Sequence, residues 1–243
     1  MRLIFIRHAE PDYSIDSVTA KGAVEADLLS ERCAHWHVDR IFISPLGRAQ
    51  RTAAPTLDKL HMTGTTLDWL REYAYKIDDP TTGRKQKVPW DFMPEYWTRQ
   101  ELLYDRNRWY ENRVLSANPE YAAHLPVVFG GIDTLLAEYG YHREEAFYRC
   151  DPVLTDEDDD RTIVFFCHLG VMSVILGHLL GMSAVLVAQS FYIAPSSVTV
   201  LNAEKRMSNI AMFRVQTIGD TAHLYAGKEP VSASGAFSRV FSL

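Results

Sequence analysis

Three short apolar runs, each stopped by a turn carrying charged or hydroxyl-bearing residues, constrain this 243-residue chain more than any other feature. Leu3 to Ile6 (LIFI) breaks at Arg7-His8-Ala9-Glu10-Pro11. Val38 to Ile43 (VDRIFI) breaks at Ser44-Pro45-Leu46-Gly47, and Thr162 to Cys167 (TIVFFC) at His168-Leu169-Gly170. Runs this short, rich in β-branched and aromatic side chains, read as buried strands. Proline after the first two forbids continued pairing, so the chain must turn there. Helical spacing follows each turn. Ala23, Ala26, Leu28, Leu29 and Cys33 recur after Thr19, a candidate N-cap. Arg48 to Leu60 is a second helix, and Val171 to Leu180 a third, closed by Gly181 as the C′ residue. Ser197 to Leu201 and Ile210 to Val215 read as a late hairpin.

Strands alternating with helices predict an α/β fold, a three-layer α/β/α sandwich with a mainly parallel central sheet. In such sheets a site lies outside the carboxyl ends of the strands. Arg7, His8, Ser44 to Arg48 and His168 are therefore expected to converge at one sheet edge. Residues 73 to 150 break the rhythm with many aromatics (Trp90, Tyr96, Trp97, Tyr104, Trp109, Tyr110, Tyr121) and read as an inserted, mostly helical cap. The expectation is one domain, 1–243.

Charge enters next. Lys and Arg number 25 against 31 Asp and Glu, a net −6. This argues against a nucleic-acid partner, which needs a basic face, and requires any anion site to be locally basic against the global field. Three cysteines without paired spacing make no disulfide framework. The N-terminal apolar stretch is too short for a signal segment, and no run approaches the ~20 apolar residues of a membrane helix. A soluble, cytoplasmic protein without a membrane partner is expected, its oligomeric state left open, a homodimer included.

A neutral imidazole is a competent nucleophile at pH 7, because its ordinary pKa is ~6.5. It attacks phosphorus when the phosphoryl charge is masked, and guanidinium forks mask it best. Arg7 adjoins His8, and Arg48 opens a helix whose N-terminus also favours an anion. A metal site of His8 and His168 with Glu10 or Glu72 is disfavoured: no HExxH-type spacing supports it, and Arg7 would repel the ion. No metal and no cofactor are expected.

Arg7-His8-Ala9-Glu10 resembles the RHG-type signature of the histidine phosphatase superfamily, which includes the cofactor-dependent phosphoglycerate mutases. Further segments match in order. Thr19-Ala20-Lys21-Gly22 is similar to the family's T-x-x-G helix start, and residues 44 to 53 to its S-x-L-x-R-A-x-x-T-A segment. Leu70-Arg71-Glu72 resembles its L-x-E, Cys167 to Val171 its second histidine motif, and residues 219 to 224 its N-D-x-x-H-L piece. The resemblance implies that His8 becomes the phosphohistidine, while Arg7, Arg48 and His168 hold the phosphoryl oxygens. Glu72 would protonate the leaving oxygen and later deprotonate the hydrolytic water, and the Leu169 and Gly170 N–H groups would add donors. Ser14 falls where many members carry a phosphate-contacting asparagine. Ala9 and Leu169 replace common glycines, and Leu169 narrows the approach to His168.

The expected function is a metal-independent phosphatase hydrolysing a phosphomonoester, on a small molecule or a phosphoprotein, through a phosphohistidine. Two alternatives stay open: a phosphoglycerate-type phosphomutase, whose characteristic insertion is not recognisable in 73 to 150, and a catalytically weak phosphate-binding regulatory protein. Elsewhere, His35, His37 and Arg51 are expected outside, His223 is expected to be structural, and Asp156 to Asp160 a solvated turn. Lys76, Arg84, Lys85 and Lys87 are weighed as distal anion contacts against a solvated loop. The tail from Gly227, rich in Ser, Ala and Gly, is expected to pack loosely.

Overall fold

The computed structural model describes residues 1–152, 154, 159–207 and 209–241. The strands of its main sheet are β1 (Arg2–Arg7), β2 (Arg40–Ile43), β3 (Thr65–Thr66), β4 (Tyr141–Glu144), β5 (Phe147–Cys150), β6 (Thr162–Cys167), β7 (Val198–Met207) and β8 (Ile210–Asp220). They form one eight-stranded sheet in the order β3-β2-β6-β1-β7-β8-β5-β4. The first four in that order run parallel, in register from Arg2 opposite Thr162 to Arg7 opposite Cys167. The remaining pairings are antiparallel.

Alternation along β1 explains the layers. Leu3 and Phe5 face one side of the sheet, Ile4 and Ile6 the other, and all four are buried. Ile4, Ile6, Ile41, Ile43, Val164 and Phe166 pack on Leu29, Cys33, Ala49 and Ala53 of helices α1 (Ala20–Cys33) and α2 (Gly47–Leu60). On the opposite face Phe165 stacks on Phe5 at 4.7 Å and on Phe42 at 5.6 Å. That core continues into α3 (Leu125–Glu138), α4 (Leu169–Leu180) and α5 (Ala184–Ser190), with short α6 (Ala222–Ala226) beside α1. The three-layer sandwich read from the strand and helix alternation is thus present, and the late hairpin is β7 and β8, longer than expected.

Caps and breakers act as their chemistry requires. Thr19 accepts a hydrogen bond from the Gly22 N–H at 3.0 Å, and Gly181 ends α4 at φ 66°. Gly22 must be glycine because a Cβ there would collide with the Glu10 carbonyl. The region 73 to 150 departs from the mostly helical expectation. It holds short turns and helices, one long helix (α3), and the β4–β5 hairpin, which extends the main sheet through Ala211 opposite Tyr148. The hairpin hides in the sequence because its strands, YHRE and FYRC, keep only Tyr141, Tyr148 and Cys150 buried.

Two other expectations are corrected. Of the acidic run 156 to 160, residues 156–158 lie outside the described residues. Asp160 is exposed, but Asp159 is buried, accepting from the Tyr141 hydroxyl and, at 2.7 Å, from Arg161. The C-terminal tail is tied down. Lys21 bonds the Glu229 carboxylate at 2.5 Å, Ser232 donates to Glu10 at 2.7 Å, and the Tyr192 hydroxyl donates to the Ser232 carbonyl at 2.7 Å. The tail offers the Glu229 carboxylate, the Ser232 hydroxyl and its backbone carbonyls to these contacts.

Candidate active site

The carboxyl ends of all four parallel strands feed one cluster. β1 ends in Arg7 and His8, β2 leads through Ser44 to Arg48, β6 leads to His168, and β3 leads through the turn Asp68–Leu70 to Glu72. Arg7, His8, Ser44, Arg48 and His168 are all buried, and the His8 and His168 rings lie 5.1 Å apart.

His8 is held with one nitrogen committed. Its Nδ1 lies 2.8 Å from the Ala9 carbonyl, which only accepts, so Nδ1 carries the proton and Nε2 keeps its lone pair. Burial, then the charges of Arg7 and Arg48, push the His8 pKa well down, against the Ala9 hydrogen bond. The imidazole is therefore neutral at pH 7. Thr52 fixes the turn behind it by accepting from the Ala9 N–H at 2.9 Å and donating to the Arg48 carbonyl at 2.7 Å.

The two guanidinium groups and the second imidazole are anchored at one end and unfinished at the other. Arg7 donates to the Ile193 carbonyl at 2.7 Å and to the Ser234 carbonyl at 3.5 Å. Arg48 donates to Asp16 Oδ1 at 2.6 Å, and Asp16 also accepts from the Gly47 N–H at 2.7 Å. His168 Nε2 lies 2.6 Å from the Ser44 hydroxyl. Yet Arg7 Nε, Arg48 Nε and His168 Nδ1 are buried without a hydrogen-bond partner. Orphaned buried polar atoms cost about 1–3 kcal/mol each, and three in one cluster call for a ligand rich in oxygen acceptors. Burial, then His8, Arg48 and Arg7, also lower the His168 pKa well below its ordinary value.

Glu72 is a half-buried carboxyl. Its Oε1 accepts from the Tyr73 N–H at 2.9 Å and the Val171 N–H at 3.1 Å. Burial raises its pKa, against those hydrogen bonds and the charges of Arg48 and Arg7. A raised carboxyl beside depressed imidazoles is an acid facing a base. Gly170 makes room for it: a Cβ there would collide with the Trp90 ring and approach Glu72 Oε1 to 2.7 Å. Leu169 and Gly170 sit in the first turn of α4, where N–H groups have no partner within the helix.

Ser14 stands apart. It lies on an exposed turn with its hydroxyl donating to Asp12 at 2.5 Å, so the structure does not bring this residue into the cluster. The nearby side chain that does engage is Asp16, which no motif marked. Trp90 and the Ile193 and Ser234 carbonyls were equally unmarked, two of them because backbone oxygens carry no sequence signal. His35, His37 and Arg51 are exposed. His223 is buried 3.2 Å from the Ser196 hydroxyl, and Ser196 N–H donates to the His8 carbonyl at 3.1 Å. Lys85 pairs with Asp78 at 2.7 Å on the surface, and Lys76 lines a separate cleft with Arg113 and Asn118. Among the described residues no three His, Cys, Asp or Glu side chains are grouped to hold a metal ion. No described helix is long and apolar enough to cross a membrane.

Comparisons fit this geometry. Residues 3–108 match the model of the histidine phosphatase superfamily (branch 1), so the family resemblance carried by the motifs holds. No curated protein matches the sequence. The fold is shared with a phosphoserine phosphatase from Entamoeba histolytica (17% identity, 92% of this chain and 98% of that one, TM-score 0.56). It is shared with a mycobacterial glucosyl-3-phosphoglycerate phosphatase (17%, 90% and 98%, 0.55). An alpha-ribazole phosphatase from Shigella flexneri aligns similarly (17%, 91% and 97%, 0.54). At these identities the likeness is one of fold.

Proposed function

We infer that the protein is a phosphatase that hydrolyses a small phosphomonoester through a phosphohistidine at His8. The observation that carries this reading is the set of orphaned groups on Arg7, Arg48 and His168 around an imidazole whose Nε2 is free to attack. The phosphoryl oxygens satisfy those groups, which mask the charge that would repel the nucleophile.

In the first step His8 Nε2 forms a bond to phosphorus as the ester P–O bond breaks. The leaving oxygen takes that electron pair together with the proton of Glu72. In the second step water attacks phosphorus, Glu72 takes a water proton, and the P–N bond breaks to return neutral His8 and phosphate. The depressed pKa of His8 and the raised pKa of Glu72 prepare the first step in the free protein. The solved proteins of like fold named above are phosphatases of phosphoserine, glucosyl-3-phosphoglycerate and alpha-ribazole phosphate type, which is consistent with a small phosphorylated substrate.

The test is a phosphoester panel in the presence of EDTA, run beside His8→Ala. Phosphate release that survives EDTA and falls at least ~10³-fold in the variant is expected, since a covalent step is lost. Activity retained in His8→Ala refutes the mechanism. Isomerised product with little free phosphate assigns the chain to phosphoryl transfer between substrates instead.

A further inference from the structure

Beside the catalytic cluster lies a trough of 530 Å³, a size typical of small-molecule sites. It shares walls with the cluster. Leu169 directly follows His168, the Ile193 carbonyl holds Arg7, and a Cβ at Gly235 would lie 3.4 Å from the Arg7 guanidinium. Its large side chains are Trp90, Leu169, Phe191, Tyr192, Phe237 and Phe241. Arg239 is the one charged side chain in the lining among the described residues, and no carboxylate faces it.

Two observations argue that the trough is built for a ring system. Phe237 and Phe241 are 75% and 84% exposed, and Phe191 and Tyr192 about 40%, so four aromatics stand together in water at one mouth. Such clustering on a soluble domain marks a binding surface. Second, Gln189, on the same wall, has its side-chain nitrogen buried with no hydrogen-bond partner. A phosphorylated sugar or hydroxy acid needs many directed polar partners, because its hydroxyls and carboxylate must be paired when desolvated. Beside the rings this wall offers the hydroxyls of Ser190, Thr221 and Ser238, the Arg239 guanidinium and one orphaned amide donor, and, among the described residues, no carboxylate.

We propose that the trough is the leaving-group subsite and that the substrate is the phosphate monoester of a phenol. This rests on reading the cluster as the phosphoryl site. The chemistry agrees: a phenolic oxygen with a pKa of about 10 leaves with less help from Glu72 than an alkoxide does.

The experiment compares kcat/KM for 1-naphthyl phosphate and glycerol 2-phosphate in the wild type, Phe237→Ser and Phe241→Ser. The wild type is expected to favour the naphthyl ester about 100-fold, and each substitution to cut that ratio about tenfold. A ratio near one, or substitutions that lower both substrates in parallel, overturns the proposal. A binding arm separates the two readings: His8→Ala is titrated calorimetrically with 1-naphthyl phosphate and with inorganic phosphate. At least tenfold tighter binding of the naphthyl ester supports the subsite, and equal binding overturns it. Preference in binding without any turnover in the wild type sinks the phosphatase reading and leaves the trough standing.

Discussion

Glu72 and Gly170 show how little space the chemistry leaves. Because burial raises the Glu72 pKa, the carboxyl stays protonated at pH values where an exposed glutamate would have lost its proton, and under the proposed mechanism activity is expected to fall as pH rises through that raised value. Glu72→Gln is expected to lower kcat for an alkyl phosphate by 10²–10⁴ and to remove the alkaline limb of the kcat/KM profile. An unaltered profile would take the acid role away from Glu72. Gly170→Ala should fold, as the position is helical, yet displace Trp90 or Glu72. A fall in kcat of about tenfold or more is expected, with the circular dichroism spectrum unchanged, and wild-type kinetics would show that the crowding is unimportant. Ser44, Asp16 and Thr52 hold His168, Arg48 and the turn after His8 in place. Of these, only Ser44 and Thr52 lay in a motif that pointed to the site.

At the scale of elements, the strand ends decide everything. An apolar run followed by an abrupt polar turn is a local signal, so β1, β2, β6 and the helices after them were legible from residues alone, and with them Arg7, His8, Arg48 and His168. The two-residue β3 was not, because Thr65 and Thr66 are exposed and too few to show a period. Glu72 was therefore known by its motif and not by its place in the sheet. The β4–β5 hairpin escaped for a similar reason: its polar strands pair only because β8 offers an edge. The Thr19 cap was legible and is testable. Thr19→Ala also removes a 3.0 Å hydrogen bond to Glu10, and it should cost about 1 kcal/mol in urea denaturation. No change would mean that α1 is anchored elsewhere, by Lys21 and the tail.

The whole molecule carries its basic site inside a net charge of −6, and keeps three histidines neutral by burying them. Burial, then the charge of Arg32, lowers the His223 pKa to about 4, against the pull of Asp220. Unfolded, this group binds its proton near 6.5, so its contribution is complete above that value and is lost as pH falls from 6.5 to about 4. His223→Gln should therefore show a smaller drop in Tm than the wild type between pH 7 and pH 4.5, while an equal drop would assign acid sensitivity elsewhere. The C-terminal tail also ties distant parts of the chain together. It joins Lys21, Glu10 and Arg7, residues more than two hundred positions away, through contacts no local pattern reveals.

The proposed mechanism requires a covalent phosphoryl group on His8 Nε2. Rapid acid-free quenching of turnover with 1-naphthyl phosphate, followed by digestion and mass spectrometry, tests it directly. The peptide containing His8 should carry the mass of one phosphoryl group, formed before steady state and absent from His8→Ala. Burst-free turnover with no label on that peptide, or a label on another residue, would rule out phosphoryl transfer to His8.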